Sequence, residues 1–303
     1  MGRTFCIDGH TELIAHIGHP THAFKAPLIY NPHFEAQGIN AVVVPMACRA
    51  DDFPTFLRAV FALDNVRGAL ITMPHKVRTV ALLDDASPAV HVAGACNAVR
   101  RDARGLLVGE QFDGAGFVRG IQRKGFDVRG CTALVVGAGG VGCAIAASLA
   151  GAGVGALRLI DENAALAEQL RERLALHHSA IQVSTGSRDP RGCDLVVNAT
   201  PLGMNDGDPL PFDVSLLSAS TFVGEVVMRR EVTPLLAAAQ ARGCRVQVGT
   251  DMLFEQIPAY LEFFGFPSTT PQALLRVAGA TPTPALAGWR FPPAAKRPFR
   301  AAR

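Results

Sequence analysis

Leu134-Val135-Val136-Gly137-Ala138-Gly139-Gly140-Val141-Gly142 is a short apolar run that ends in glycines and leads straight into an alanine-rich segment. It reads as strand, tight turn and helix. Gly137, Gly139 and Gly142 stand at the G-x-G-x-x-G spacing, which serves a tight turn, the approach of a pyrophosphate to bare backbone, and close helix-on-strand packing. The amides of Ala138, Gly140 and Val141 lie at or before the helix start, where unpaired N–H groups and the positive dipole end favour phosphate. Glycines at this spacing also occur in turns that bind nothing, so the flanks decide. A second apolar run, Ala156-Leu157-Arg158-Leu159-Ile160, ends at Asp161, about 20 residues past the last glycine, where a dinucleotide-binding unit carries its ribose-binding acid. Strand, helix, strand and acid in register point to a dinucleotide site.

The chain has 303 residues, enough for two domains, with 49% hydrophobic and 18% charged content, ordinary for a globular protein. The net charge is only +3. Much of that excess lies after Gly288, in Arg290, Lys296, Arg297, Arg300 and Arg303, so the rest is near neutral and no nucleic-acid partner is indicated. Seven cysteines are dispersed without a C-x-x-C pair. That pattern favours reduced thiols in a cytoplasmic protein and supplies no metal-ligating motif. No apolar run approaches about 18 residues, and no basic N-terminal region leads into a hydrophobic stretch, so neither membrane insertion nor export is expected.

Strands are expected at Leu13–Gly18, Ala41–Met46, Gly68–Met73, Ala95–Arg100 and Leu106–Glu110, with helices at Pro27–Gln37, Asp51–Leu63 and Pro74–Leu83. Alternation of the two argues for a first α/β layer. A helix from about Asp113 to Lys124 connects to the glycine-rich unit. Beyond Asp161, a helix at Ala164–His177, strands at Ile181–Ser184, Leu195–Ala199 and Phe222–Val227, a helix at Pro234–Arg242 and a strand at Arg245–Val248 complete a doubly wound parallel sheet. The apolar residues of Asp251–Phe264 predict a helix that packs back across the cleft. Five prolines and the basic residues beyond Thr281 leave no periodic core pattern, so a mobile tail is expected.

Polar residues at strand ends are the next candidates, because ligands bind at that edge of open α/β sheets. Thr72 and Lys76, Asn97, and Asp113 each follow an apolar run. Together with Gly18-x-Pro20, Lys25-Ala26-Pro27, Thr72-x-Pro74-x-Lys76, Ala95-x-Asn97, Asp113-Gly114, Gly137–Gly140, Asn198-Ala199-Thr200 and Gly249-x-x-Met252-Leu253-x-x-Gln256, they resemble the shikimate/quinate dehydrogenase family, in the family's order up to about Phe266. The resemblance implies that Lys76 is the catalytic lysine, that Asp113 is its acidic partner, and that Thr72, Asn97 and Gln256 bind ring hydroxyls. It further implies that Thr200, Val226 and Gly249 border the nicotinamide. Such a pair would relay the proton of a secondary alcohol while hydride passes to the nicotinamide.

The departures from the family are informative. Its two carboxylate-binding serines are replaced by Phe24 and Ala26, and its asparagine before the threonine by Leu70. Gln111 and Phe112 stand for an asparagine and a threonine, and Met228 for a tyrosine. This pocket is less polar, and an unpaired carboxylate in it is costly. His19, His22 and His75 are alternative contacts for an anion. Where NADP-dependent members carry Asn-Arg-Thr, this chain has Asp161-Glu162-Asn163, whose charges would repel a 2′-phosphate, so NAD is expected over NADP. Capping of the following helix is open to Asp161 or Asn163.

The expectation is an α/β protein with an N-terminal α/β substrate domain (1–112, joined by a C-terminal helix, 251–280), a doubly wound Rossmann NAD-binding domain (113–250), and a basic tail (281–303). Its partner is a small cyclic hydroxy acid or polyol, and it works as a monomer or homodimer. The activity is that of an NAD-dependent dehydrogenase of the shikimate/quinate type. The rivals are a dehydrogenase of another cyclic alcohol, such as an aminoshikimate, a dinucleotide-binding regulatory protein, and the folate-dependent methylene dehydrogenases. The Lys76/Asp113 pair speaks against the second, and Asp113-Gly114 with Gln256 against the third.

Overall fold

A computed structural model describes residues 6–22 and 24–279, an α/β fold built on two six-stranded sheets. The expected tail lies outside the described residues. The first half contains β1 (Glu12–Gly18), α1 (Pro27–Gln37), β2 (Ala41–Ala47), α2 (Phe53–Val60), β3 (Val66–Ile71), α3 (Lys76–Thr79), β4 (Asp85–Ala86), α4 (Pro88–Ala93), β5 (Ala98–Arg101) and β6 (Leu107–Glu110). Strand order is β2-β1-β3-β5-β6-β4. β1 runs parallel to β2 and β3, whereas β5 runs antiparallel to both β3 and β6. This reversal matters for the site. It brings the start of β5 and the end of β6 to the edge where β1 and β3 finish, and the bonds Ile71 N to Asn97 O (2.8 Å), Thr72 N to Ile17 O (2.9 Å) and Asn97 N to Glu110 O (3.0 Å) fasten that edge.

The chain crosses through α5 (Asp113–Arg123) into β7 (Thr132–Val136), α6 (Gly140–Gly151), β8 (Ala156–Ile160), α7 (Ala164–His177), β9 (Gln182–Thr185), β10 (Leu195–Asn198), β11 (Phe222–Glu225), α8 (Pro234–Ala241) and β12 (Arg245–Gln247). These strands form a wholly parallel sheet, β12-β11-β10-β7-β8-β9, whose order reverses between β7 and β10. Ala133 and Val135 enter the core on one face, Leu134 and Val136 that on the other. Burial on both faces is why β7 is apolar without alternation.

α9 (Gly249–Phe263) and α10 (Pro271–Val277) return to the first sheet. Leu253, Phe254, Ile257, Tyr260 and Leu261 of α9 join one core with Ile14, Ile29, Tyr30, Phe34 and Val43. Burying each large apolar side chain contributes about 1.5–3 kcal/mol. The ion pair of Lys124 with Asp251, 3.0 Å apart and partly exposed, contributes less than about 1 kcal/mol. Packing therefore decides where α9 lies.

Some elements differ from expectation. The second helix is Phe53–Val60, shorter at both ends than Asp51–Leu63. The expected helix Pro74–Leu83 shrinks to α3 plus a 3-10 turn at Val80–Leu82, in a stretch where Val77, Thr79 and Val80 are β-branched. β4 and α4 were not anticipated, although Ser87 caps α4 by accepting from Val90 N and Gly94 ends it at φ 61°. No α-helix joins β9 to β10 or β10 to β11 among the described residues. None of their helices is long and apolar enough to cross a membrane.

α5 and α6 approach so closely that a Cβ on Gly114 would lie 2.0 Å from the carbonyl oxygen of Ala144. A backbone atom cannot rotate away. Gly114→Ala should therefore cost roughly 1–3 kcal/mol, read as an earlier midpoint in urea unfolding; an unchanged midpoint would contradict this packing.

Candidate active site

The shared edge of the first sheet gathers the polar candidates. Thr72 follows β3, Lys76 opens α3 and its carbonyl accepts from Cys96 N (2.9 Å), and Asn97 precedes β5. Asn97 is wholly buried. Its Oδ1 accepts from Phe112 N (2.9 Å), while its Nδ2 has no partner. Asp113, buried in the first turn of α5, forms an ion pair with Lys76 Nζ through Oδ2. Gln111 orients the acid: its Oε1 accepts from Asp113 N (2.9 Å) and its Nε2 donates to Ala95 O (3.3 Å). Gln256 of α9 is buried against Gly116, one turn along α5 from the acid, and its Oε1 lacks a partner. Thr72, Lys76, Asn97, Asp113 and Gln256 thus share one neighbourhood.

The glycine turn faces this cluster. Gly137 has φ +104°, a conformation that favours glycine, and a Cβ on Gly142 would lie 1.9 Å from Gly137 O. Space above Gly139 is open, with nothing within 4 Å of a Cβ placed there. A Cβ on Gly140 would lie 3.1 Å from Lys76 Cβ, so the start of α6 and the lysine are neighbours. Open backbone at a helix N-terminus, at the point where strand order reverses, fits a dinucleotide pyrophosphate. Among the described residues no group of three or more His, Cys, Asp and Glu is placed to hold a metal ion.

Across the switch point, Asn198, Thr200 and Glu225 form a buried network that the strand pattern did not reveal. Thr200 Oγ1 donates to Asn198 Oδ1 (2.6 Å), and Asn198 Nδ2 donates to Glu225 Oε1 (2.9 Å). Glu225 also accepts from Thr233 Oγ1 (3.0 Å) and from the amides of Val226 (3.1 Å) and Val227 (3.2 Å). Burial pushes its carboxyl up to about 7. The one available signal was a carboxylate inside the apolar run Phe222–Val227. Val226 lies beside this network, and Gly249 starts α9 with no room for a Cβ, which would meet Val227 O at 2.4 Å.

On the opposite wall, Phe24 stacks on His16 of β1 and Ala26 is buried in the first core. Of the three histidines considered for an anion, His75 is ruled out. It is buried, stacks on Phe53 at 4.0 Å, and bonds through Nε2 to Cys48 O (2.8 Å), beside the core on the other face of the first sheet, which Phe53 and Cys48 join. His19 and His22 are exposed.

A parallel sheet with a glycine turn at its switch point, facing a lysine and an aspartate at the edge of the first sheet, defines a dinucleotide-dependent α/β oxidoreductase. Residues 16–99 match the shikimate dehydrogenase substrate binding domain, and residues 121–171 match the ThiF family. The shikimate dehydrogenase (NADP(+)) of Rubrobacter xylanophilus is 39% identical over 254 residues, covering 82% of this chain and 89% of the relative. That of Geobacter sulfurreducens is 35% identical, covering 84% and 92%. Among solved structures, shikimate 5-dehydrogenase from Listeria monocytogenes in complex with shikimate and NAD has a TM-score of 0.82 at 26% identity, covering 91% and 99%. Quinate dehydrogenase from Corynebacterium glutamicum in complex with NAD has a TM-score of 0.79 at 31% identity, covering 88% and 98%. The chain belongs to the shikimate dehydrogenase family and is an oxidoreductase of the shikimate/quinate type.

The relatives overturn the expected preference for NAD, since those from R. xylanophilus and G. sulfurreducens are NADP(+) enzymes by name. The geometry supplies a reason why Asp161 misled. Its Oδ2 accepts from Ala138 N (2.7 Å) and so holds the glycine turn, while its Oδ1 accepts from Asn163 N (2.9 Å) at the cap of α7, so both oxygens are already engaged. Arg188, 3.9 Å from Glu162, places a cation beside the second acid. Helix capping of α7 falls to Asn163, which accepts from Ala165 N (3.2 Å).

The Glu225 network carries a pH signature. Its carboxyl is raised from 4.5 to about 7, so between those values the folded protein holds a proton that the unfolded chain releases. Stability should fall as pH rises through that window, by on the order of 3 kcal/mol, and level off above it. Thermal unfolding across pH 5–8 should show that decline in the wild type and a flatter profile in Glu225→Gln; identical slopes would rule Glu225 out as the source.

Proposed function

We propose that the protein catalyses reversible oxidoreduction of one secondary alcohol on a cyclic polyol, with the first sheet and α9 holding the ring and the second sheet holding the dinucleotide. The carrying observation is the buried Lys76–Asp113 pair beside the glycine turn, flanked by two carboxamides with unpartnered atoms. Buried polar atoms without partners are rare, and ring hydroxyls would satisfy Asn97 Nδ2 and Gln256 Oε1. Thr72 supplies a third polar group. Phe24 and Ala26 form the far wall.

Gly137, Gly139, Gly140 and Val141 would hold the pyrophosphate, Asp161 keeps their turn in shape by taking the Ala138 amide, and Thr200, Val226 and Gly249 border the nicotinamide. When bound, the dinucleotide donates or accepts the hydride. In the reducing direction, Lys76 Nζ donates a proton to the carbonyl oxygen as the carbon gains hydride; in the oxidising direction the hydroxyl proton returns to Nζ. Asp113 holds the ammonium in line and offsets its charge in a site sheltered from water. The relatives' named activity supports this reading, as does the likeness of the fold to the solved Listeria and Corynebacterium dehydrogenases.

Lys76→Ala should lower kcat by roughly a hundredfold to ten-thousandfold, while nicotinamide fluorescence titrations show dinucleotide affinity close to wild type. Turnover that survives the substitution would remove Lys76 from the mechanism. Asp113→Asn should lower kcat in the same direction and by less, since the lysine remains.

A further inference from the structure

The wall facing Lys76 brings no positive charge of its own to an acid; its buried polar atom is His16 Nδ1, which has no hydrogen-bond partner. His16 is buried and its ring lies 4.0 Å from that of Phe24, with 26° between planes. Burial, with the positive charge of Lys76, holds the imidazole down to about 3, so it stays neutral. Phe24 Cζ and the Thr72 methyl both crowd Gly18, where a Cβ would meet them at 2.8 and 2.4 Å. Neutral imidazole and phenyl are the surfaces presented, with the Thr72 methyl turned toward Gly18.

The nearby cations are already matched. Lys76 is paired with Asp113, and the half-buried Lys25 lies in the field of Glu231. His75 is turned toward Phe53 and Cys48, in the core on the other face of the first sheet. A substrate carboxylate set against this wall would leave water for aromatic carbon and an uncharged imidazole, with no cation to offset its charge, which sites of this kind discriminate against strongly. A ring of carbon-bound hydrogens loses nothing there, because an aromatic face accepts such a surface.

We infer that the cleft takes an uncharged cyclic polyol, or its ketone, in preference to a ring acid, and that Phe24, backed by His16, is the residue that sets this choice. The inference rests on the dehydrogenase reading of the same site. The hydride and proton steps are unchanged, and only the ring substituent beside Phe24 differs.

Shikimate and quinate compared with their methyl esters test it, since each ester keeps the ring and its hydroxyls and loses the charge. With the full chain and either nicotinamide dinucleotide, kcat/KM should be at least tenfold higher for each ester than for its acid. Phe24→Ser/Ala26→Ser, which adds two hydroxyl donors, should shift that ratio toward the acids. Acids used as well as or better than esters by the wild type would overturn the inference and leave the dehydrogenase reading standing. A folded double variant with the wild-type ratio would overturn the assignment to Phe24, and if that variant does not fold, Phe24→Ala and the wild-type ratio decide. Turnover of neither acids nor esters would overturn the inference together with the reading beneath it.

Discussion

The site depends on one steric constraint, the contact between the backbones of α5 and α6 at Gly114 and Ala144. Asp113 is the residue before that contact, and Gly140 opens the helix on its other side. Backbone against backbone leaves no side chain to adjust, so the acid, the lysine that pairs with it and the glycine turn are held in one compact arrangement. Gln111 and Asn97 reinforce it from the first sheet, by bonding the amides of Asp113 and Phe112.

A second constraint is topological. An all-parallel first sheet would send the start of β5 to the far edge, away from Thr72 and Lys76. Running β5 and β6 antiparallel brings residues from four separate strands to one edge. The second sheet needs no such device, because its order reversal alone opens a crevice at β7 and β10.

Most of this architecture is legible in the residues. Ala156–Ile160 and Ala164–His177 are found with the boundaries that their apolar runs and cap imply, since an apolar strand and an amphipathic helix bounded by Asn163 leave few alternatives. Short elements were harder to see: β4 has two residues and α4 has six, too few for a period to emerge. The candidate site was legible as residue types at strand ends, and its lysine and aspartate do meet. Misleading signals came from groups whose partners are remote in sequence. Asp161 holds the amide of Ala138, and His75 bonds the carbonyl of Cys48, and neither bond is visible in a local window. Glu225 and His16 were hidden for the opposite reason, being single polar residues inside apolar strands.

The return of α9 has a consequence for the order in which the chain acquires structure. The core beneath the first sheet joins Ile14, Ile29 and Phe34 to Ile257, Leu261 and Phe264, residues from opposite ends of the described chain. During synthesis from the N-terminus, the first sheet emerges early but lacks the helix that covers it. The parallel sheet, whose core is drawn largely from consecutive segments, can close before that helix is made. The unit that begins the chain is therefore the last to finish folding, and until α9 arrives its apolar face is open to whatever chaperone or neighbouring chain meets it first.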